Sequence, residues 1–357
     1  MTMSSTRRLR ISSFPNPYPG NPYLTLFYEH LRENGVDYVR SGYFGQSWLR
    51  EKRGEIDYLH FHWPSFDYSD ASGRRSILAM AKFLIKMRAA RMMGYKIIWT
   101  MHNLYPHERQ NAALEWLCRF SLVQNVDLVF VHFPAAQDDL WRLFRRRRRV
   151  HVVPHGNYAP LYAKRPDRAA ARRELGLEPD TYAFLVFGQV RPYKGADIAA
   201  RALARLSDPG CRLFIVGQHK DDAHSEELLA LAARDPRVRL VLAPDNVPDE
   251  SVALWLAACD CVAAPYRDVY TSGVVYLAAT FGKPIVAPRL GIFRSLGDPS
   301  FVRTFDPEGA DAAVGAAFEA VRRADPEELL ESALRFSADH DWAGITAKVA
   351  EILWKQR

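Results

Sequence analysis

The chain has 357 residues, 48% apolar and 25% charged, with a net charge of +7. That is enough for two ordinary globular domains, and it excludes disordered, collagen-like and disulfide-stapled chains. The charge is uneven: residues 1–150 carry 23 Lys and Arg against 13 Asp and Glu, and the remainder 25 against 28.

In chain order, short β-branched or aromatic runs alternate with longer helical patterns. Strands are predicted at Leu9–Ser13, Tyr58–His62, Lys96–Thr100, Leu128–His132 and His151–Val153. Helices are predicted between them at Tyr23–Asn34, Ser76–Met93, Asn111–Gln124 and Ala135–Arg147. A second series follows, with strands at Tyr182–Phe187, Arg212–Val216, Val238–Leu242, Cys261–Ala264 and Pro284–Ala287. Its helices are predicted at Ala196–Leu206, Ser225–Arg234, Pro248–Ala257 and Val274–Phe281. Such alternation predicts parallel sheets covered on both faces. The expected fold is α/β, with two doubly wound Rossmann-like domains facing a central cleft. The first spans residues 1–157, with a C-terminal helix over 340–357 packing back on it, and the second spans 165–335. Ligands of such sheets sit beyond the carboxyl ends of the strands, so the informative residues are those just after strands.

In the rear half, Phe187–Gly195 reads FGQVRPYKG. Gly188 allows a ligand close to the backbone. Arg191 and Lys194 place two cations before a helix, where free N–H groups already favour an anion. Pro265–Gly273 reads PYRDVYTSG, and Tyr266, Thr271, Ser272 and Gly273 follow a strand and precede a helix. Their hydroxyls and amides read as a helix cap and a nest for phosphate oxygens. Together the two segments suit a diphosphate.

Three loops stand out in the front half. Asn16–Tyr23, NPYPGNPY, offers Asn21 as a ligand contact or as a helix cap. His60–Pro64, HFHWP, offers His62 and Trp63 as a sugar platform or as a packed Trp beside satisfied histidines. Thr100–Glu108, TMHNLYPHE, gathers His102, Asn103, His107 and Glu108, a polar cluster that packing alone does not explain.

The paired rear segments resemble the donor-binding half of GT-B glycosyltransferases near retaining family 4. In that family a G-R-x-x-x-x-K-G-like loop supplies Arg and Lys to a nucleotide-sugar diphosphate, and GKPIVAP at residues 282–288 resembles the family's G-x-P-V-V-A strand. The resemblance implies that Gly188, Gln189, Arg191, Lys194, Tyr266, Thr271, Ser272 and Gly273 bind the donor. Gln189 stands where the family has its Arg, and Arg191 is expected to take that role. Val269 and Leu277 stand where family 4 has the two Glu of its E-x7-E motif. The T-S-G version instead resembles xanthan-type inverting exopolysaccharide mannosyltransferases. That implies GDP-mannose as donor and a saccharide acceptor, lipid-linked, in bacterial polysaccharide or glycolipid synthesis. The Thr-x-His start of the third loop resembles the GT-B loop whose His meets the sugar near the reacting carbon. The alternatives are a retaining family 4-type transferase with another donor, or an inactive GT-B module that only binds.

Glycosyl transfer passes through an oxocarbenium-like state. His102 and Glu108 are the expected catalytic pair, with Glu108 as the base that inversion requires. Asn21, His62, Trp63, Asn103 and His107 are expected on the sugar or acceptor. No DxD pair follows a strand, so neither a metal nor any other cofactor is expected. Cys118, Cys211, Cys259 and Cys261 form no CxxC, which fits a reducing cytosol. No apolar run nears the roughly 20 residues of a membrane span, and the N-terminus lacks the apolar core of a secretory signal. The basic front half predicts an anionic partner. That partner is a phospholipid surface, a phosphorylated substrate or nucleic acid, the last being the weakest for want of a motif. Ser76–Met93 and the run Arg145–Arg149 read either as a docking face for an anionic membrane surface or as a helix buried on the sheet and a solvated helix end. The expected location is cytoplasmic, peripheral on the inner face of the cell membrane.

Overall fold

The computed structural model describes residues 7–69, 76–105 and 111–357. The chain begins β1 (Leu9–Phe14), α1 (Pro22–Glu33), β2 (Val36–Tyr38), α2 (Gln46–Glu51), β3 (Tyr58–Phe61), α3 (Ile77–Met92), β4 (Lys96–Met101), α4 (Ala112–Asn125), β5 (Leu128–Val131), α5 (Ala135–Phe144) and β6 (Val150–Val152). It continues α6 (Arg168–Glu174), β7 (Tyr182–Phe187), α7 (Ala196–Leu203), β8 (Cys211–Gln218), α8 (Asp222–Arg234), β9 (Val238–Ala243), α9 (Asp249–Ala258), β10 (Cys261–Ala263), α10 (Val274–Thr280), β11 (Ile285–Pro288) and β12 (Val302–Phe305). Three helices close it, α11 (Ala310–Arg323), α12 (Pro326–Asp339) and α13 (Trp342–Lys355).

Two compact units result. The front unit runs to Gly156 and is completed by Asp341–Arg357; the rear unit is Asn157–His340. Each holds a six-stranded parallel sheet, in the order β2-β1-β3-β4-β5-β6 in front and β12-β11-β10-β7-β8-β9 behind. The α/β class and the doubly wound architecture expected from the alternation are what the structure has. Strands such as β5 (LVFV) and β11 (IVAP) are buried along their whole length, as parallel strands covered on both faces must be. Helix starts follow local chemistry. Ser76, Asn111, Asp167, Asp221, Asp325 and Asp341 each accept a backbone N–H of the first turn, and each such cap is worth about 1 kcal/mol.

The last helix belongs to the front unit. Trp342 is buried against Tyr23 and Phe27, with ring centroids 5.5 and 6.3 Å away. The Tyr58 hydroxyl donates to the carbonyl of Leu353 at 2.6 Å, and the Asn34 amide donates to Thr346 Oγ1 at 3.1 Å. A Cβ on Gly156 would fall 2.3 Å from the Trp342 ring, so only glycine fits there.

Several elements differ from the sequence expectation. The edge strands β2 and β12 were not predicted, since three or four residues at a sheet edge give too little periodicity to recognise. The helices α2, α6, α11 and α12 were also absent from the prediction. Helix α5 was expected to reach Arg147 and stops at Phe144, because Arg145 turns left-handed at φ 57°. The Arg145 N–H then closes on the Trp141 carbonyl, and the Arg146 guanidinium donates to the carbonyls of Val126, Asp127 and Arg148. The arginine run is therefore a turn held by hydrogen bonds rather than a helix end.

Candidate functional site

In the rear sheet, strand order reverses between neighbours β7 and β10. Connections leave in opposite directions at such a point and open a crevice beyond the strand ends. The loops 188–195 and 264–273 start there. Both are pinned by close backbone approach. A Cβ on Gly217 would fall 1.6 Å from the Gly188 carbonyl oxygen. Gly195, at φ 69°, would place one 2.0 Å from the Pro265 oxygen. The Arg267 N–H donates to Tyr193 O at 2.8 Å, and its guanidinium donates to Pro192 O at 2.6 Å and to both oxygens of Asp197. Asp197, buried in the first turn of α7, also accepts from Arg201 at 2.6 Å. Burial alone would push its carboxyl up, but Arg267 and Arg201 hold it below the usual range.

Within this frame the predicted residues converge. A Cβ on Gly188, which has φ 113°, would stand 2.9 Å from Lys194 Nζ, so the glycine makes room for the ammonium. Lys194 Nζ lies 5.8 Å from the Tyr266 ring centre. The Ser272 hydroxyl donates to the Tyr266 oxygen at 3.4 Å and accepts from the Val274 N–H at 3.4 Å. Burial first, then Arg191, brings Lys194 down to about 8. Its ammonium makes no hydrogen bond or ion pair among the described residues. Burial pushes Tyr266 up to about 12. Thr271 is half-buried in the same loop, Gly273 precedes the first residue of α10, and Gln189 is exposed. Val269 and Leu277 are buried apolar side chains.

The front sheet reverses between β1 and β3, and a chain of buried imidazoles crosses its strand ends. Val153 O can only accept, so His132 Nδ1, 3.0 Å away, carries a proton. A neutral His132 then has a bare Nε2, which accepts from His102 Nδ1–H at 3.0 Å. The bare His102 Nε2 accepts from His62 Nδ1–H at 2.9 Å. The bare His62 Nε2 accepts from the Tyr28 hydroxyl at 2.8 Å. The Tyr28 oxygen accepts from His60 Nδ1–H at 2.8 Å, and His60 Nε2 accepts from the Thr100 hydroxyl at 2.7 Å. One carbonyl thus fixes four tautomers. Neutrality follows from burial, which takes His60 down to about 3 and His132 to about 4. It also holds His62 and His102 well below 6.5, with their histidine neighbours adding to the effect.

This array changes the reading of the front loops. His62 was expected on a sugar; it is buried, and both its ring nitrogens are engaged by Tyr28 and His102. His102 likewise has both nitrogens engaged inside the protein. Trp63 stacks on the His102 ring, with centroids 4.4 Å apart and 17° between planes. Asn21 was offered as a cap, but its side chain makes no cap bond, and Pro22 occupies the first turn of α1. Asn103 is half-buried beside His102. His107 and Glu108 lie outside the described residues. Tyr28, His60, His132, Asp197 and Arg267 were not singled out in advance. For the histidines the signal was present: His62, His102 and His132 each stand one residue past a strand.

The buried imidazoles make the front unit sensitive to acid. Each is neutral in the fold and takes a proton near pH 6.5 once unfolded. Between the lowered folded values and 6.5, the unfolded state binds more protons, so stability rises with pH there. The urea midpoint should be level above about pH 7 and fall as pH drops toward 4. The slope should be shallower in His62→Gln. A midpoint independent of pH from 7 to 5 would contradict the neutral array.

Residues 181–333 match the family described as Glycosyl transferases group 1. Over 312 residues, the chain is 26% identical to the GDP-mannose:glycolipid 4-beta-D-mannosyltransferase of Xanthomonas campestris pv. campestris, covering 85% of this chain and 81% of that protein. It is 37% identical over 153 residues to a D-inositol 3-phosphate glycosyltransferase of Nocardia farcinica, covering 41% and 33% of the two chains. Among solved structures, sucrose-phosphate synthase from Thermosynechococcus elongatus superposes with a TM-score of 0.76 at 17% identity, over 98% of this chain and 99% of that one. Anabaena Alr3699/HepE in complex with UDP and glucose gives 0.71 at 17% identity, over 98% and 100%. Residues 181–333 are therefore a glycosyl transferases group 1 domain, and the chain is a transferase of GT-B fold.

Proposed function

We propose that the chain moves mannose from GDP-mannose to a lipid-linked saccharide in bacterial exopolysaccharide or glycolipid synthesis, with inversion and without a metal. The observation that carries this reading is Lys194, a largely buried ammonium without an anionic partner among the described residues, at a topological switch point beside Tyr266 and Ser272. A diphosphate supplies the missing anion, with Arg191 as a second cation and the Thr271, Ser272 and Gly273 segment as donors. The relative named for GDP-mannose and a glycolipid covers 85% of this chain, which supports that donor and acceptor.

In the reaction, the bond from the anomeric carbon to the diphosphate oxygen breaks, and GDP leaves with the electron pair. The acceptor hydroxyl oxygen bonds to the opposite face of that carbon, and its proton passes to a carboxylate. Lys194 and Arg191 stabilise the departing charge, as preorganised electrostatics generally does in such steps. Glu108 is the proposed base. Buried apolar Val269 and Leu277, where family 4 carries its Glu pair, favour inversion over retention. Trp63 and Asn103, beside His102, and His107 are the proposed sugar contacts of the front unit.

A peripheral membrane site fits the acceptor. Helix α3 buries Met80, Phe83, Met87 and Ala90 and exposes Ile77, Leu78, Ile85 and Met92, interleaved with Lys82, Lys86, Arg88 and Arg91. Tyr43, 82% exposed, sits against Lys86. Exposed apolar groups among cations suit an anionic leaflet.

Calorimetric titration with GDP-mannose should show binding that Lys194→Met weakens at least tenfold. Binding should be unchanged in EDTA and should weaken as pH rises past 8, where the ammonium loses its proton. No binding, or binding indifferent to Lys194→Met, would refute the donor site. Glu108→Gln should lower kcat more than tenfold with donor affinity intact; a smaller loss removes Glu108 as base. Vesicles containing phosphatidylglycerol should sediment the protein at low salt and release it at high salt, and equal behaviour with neutral vesicles rejects membrane docking.

A further inference from the structure

On the side of α1 facing β2, the front unit has a cavity of about 550 Å3, lined by Tyr28, Glu29, Arg32, Asp37, Tyr38 and Arg40, among others. The volume falls in the roughly 300–1,000 Å3 range of small-ligand sites. Tyr28, Glu29 and Arg32 share one stripe of α1, at the spacing that brings helical side chains together. Asp37, Tyr38 and Arg40 come from β2 and the residues after it.

The lining has two kinds of surface. The Tyr28 and Tyr38 rings pack 4.7 Å apart, tilted by 36°. Their hydroxyls are committed elsewhere, to His62 at 2.8 Å and to Asn16 Oδ1 at 2.6 Å, so the half-buried Tyr38 offers the cavity ring surface, with the buried Tyr28 packed against it. The side chains of Glu29, Arg32 and Arg40 make no hydrogen bond or ion pair among the described residues, although the Arg32 carbonyl accepts from the Arg8 guanidinium. Asp37 accepts from Arg8 Nε at 2.9 Å. With Arg32 and Arg40 set against Glu29 and Asp37, the cavity lacks the one-sided charge a phosphate group needs. It offers two guanidinium forks, carboxylate acceptors and an aromatic floor. Forks and carboxylates pair with adjacent hydroxyls, and the electron-rich ring face attracts C–H groups. One ligand class has hydroxyls on its rim and C–H groups on its face: a pyranose.

We propose that this cavity is a saccharide-binding subsite that holds a sugar unit of the acceptor away from the reacting hydroxyl. The acceptor role, though not the binding itself, rests on the transferase reading above. Tyr28 joins the subsite to the histidine array, since its ring lines the cavity and its hydroxyl holds His62, which in turn holds His102. A sugar seated here is thus two hydrogen bonds from His102.

The test is ligand-observed NMR on the full chain with cellobiose and with β-1,4-mannobiose. At least one should bind in the millimolar range. The exposed double variant Arg32→Ala/Arg40→Ala should weaken it at least tenfold, with melting temperature and GDP-mannose affinity unchanged. Failure of both disaccharides to bind, equal binding by the double variant, or displacement of the sugar by inorganic pyrophosphate overturns the subsite. Disaccharide binding without GDP-mannose binding would sink the transfer reading and leave the subsite standing. GDP-mannose binding without disaccharide binding would do the reverse.

Discussion

A parallel sheet whose strand order reverses cannot cover its own carboxyl edge at the reversal, because the two connections there run to opposite faces. The rest of the molecule follows from this constraint. In the rear unit the reversal lies between β7 and β10, and the loops after these two strands hold Gly188, Lys194, Tyr266 and Ser272. In the front unit it lies between β1 and β3, where Asn21, His62 and Trp63 are found. Chemistry concentrates at these edges because the backbone there must be irregular, and irregular backbone brings polar groups that need partners.

The two units answer that need differently. The rear unit fixes its loops with backbone contact and ionic ties: glycines where a methyl group would collide with a carbonyl, and the Arg267–Asp197–Arg201 cluster beneath. Lys194, whose pKa burial lowers, has no anionic partner among the described residues. The front unit answers with neutral groups, each imidazole giving one proton and taking one. A charged array would need desolvated ions packed against one another, which is far more expensive than neutral donors and acceptors in sequence. The contrast suits a pyrophosphate ligand behind and hydroxyl-bearing ligands in front.

Much of the fold could be read from the sequence. Runs such as YAFLVF and LVFV are too apolar and too short for anything but covered strands, and several helices, α3, α4, α6 and α8 among them, carried their own caps. The short edge strands β2 and β12 could not be read, because their partners alone define them. The rear site was legible because a glycine, two cations and a hydroxyl pair sat just past strands, where position alone suggests a ligand. The front site was legible only in part. His62 and His102 were recognised as special, but whether an imidazole faces a ligand or another imidazole depends on strand order, which local sequence does not carry. Asp197 and Arg267, 70 residues apart, gave no local sign of their pairing.

The return of α13 to the front unit bears on how the molecule is made. Trp342 packs on α1 and the Leu353 carbonyl takes a hydrogen bond from Tyr58 of β3, yet both are synthesised only after the whole rear unit. Asn157–His340 forms a contiguous unit and can close while synthesis continues. The earlier-made segment must wait with an unfilled core for its final helix. Vectorial synthesis thus completes the second domain before the first, and premature termination anywhere after His340 leaves the histidine-bearing half, rather than the half that carries Lys194, incomplete.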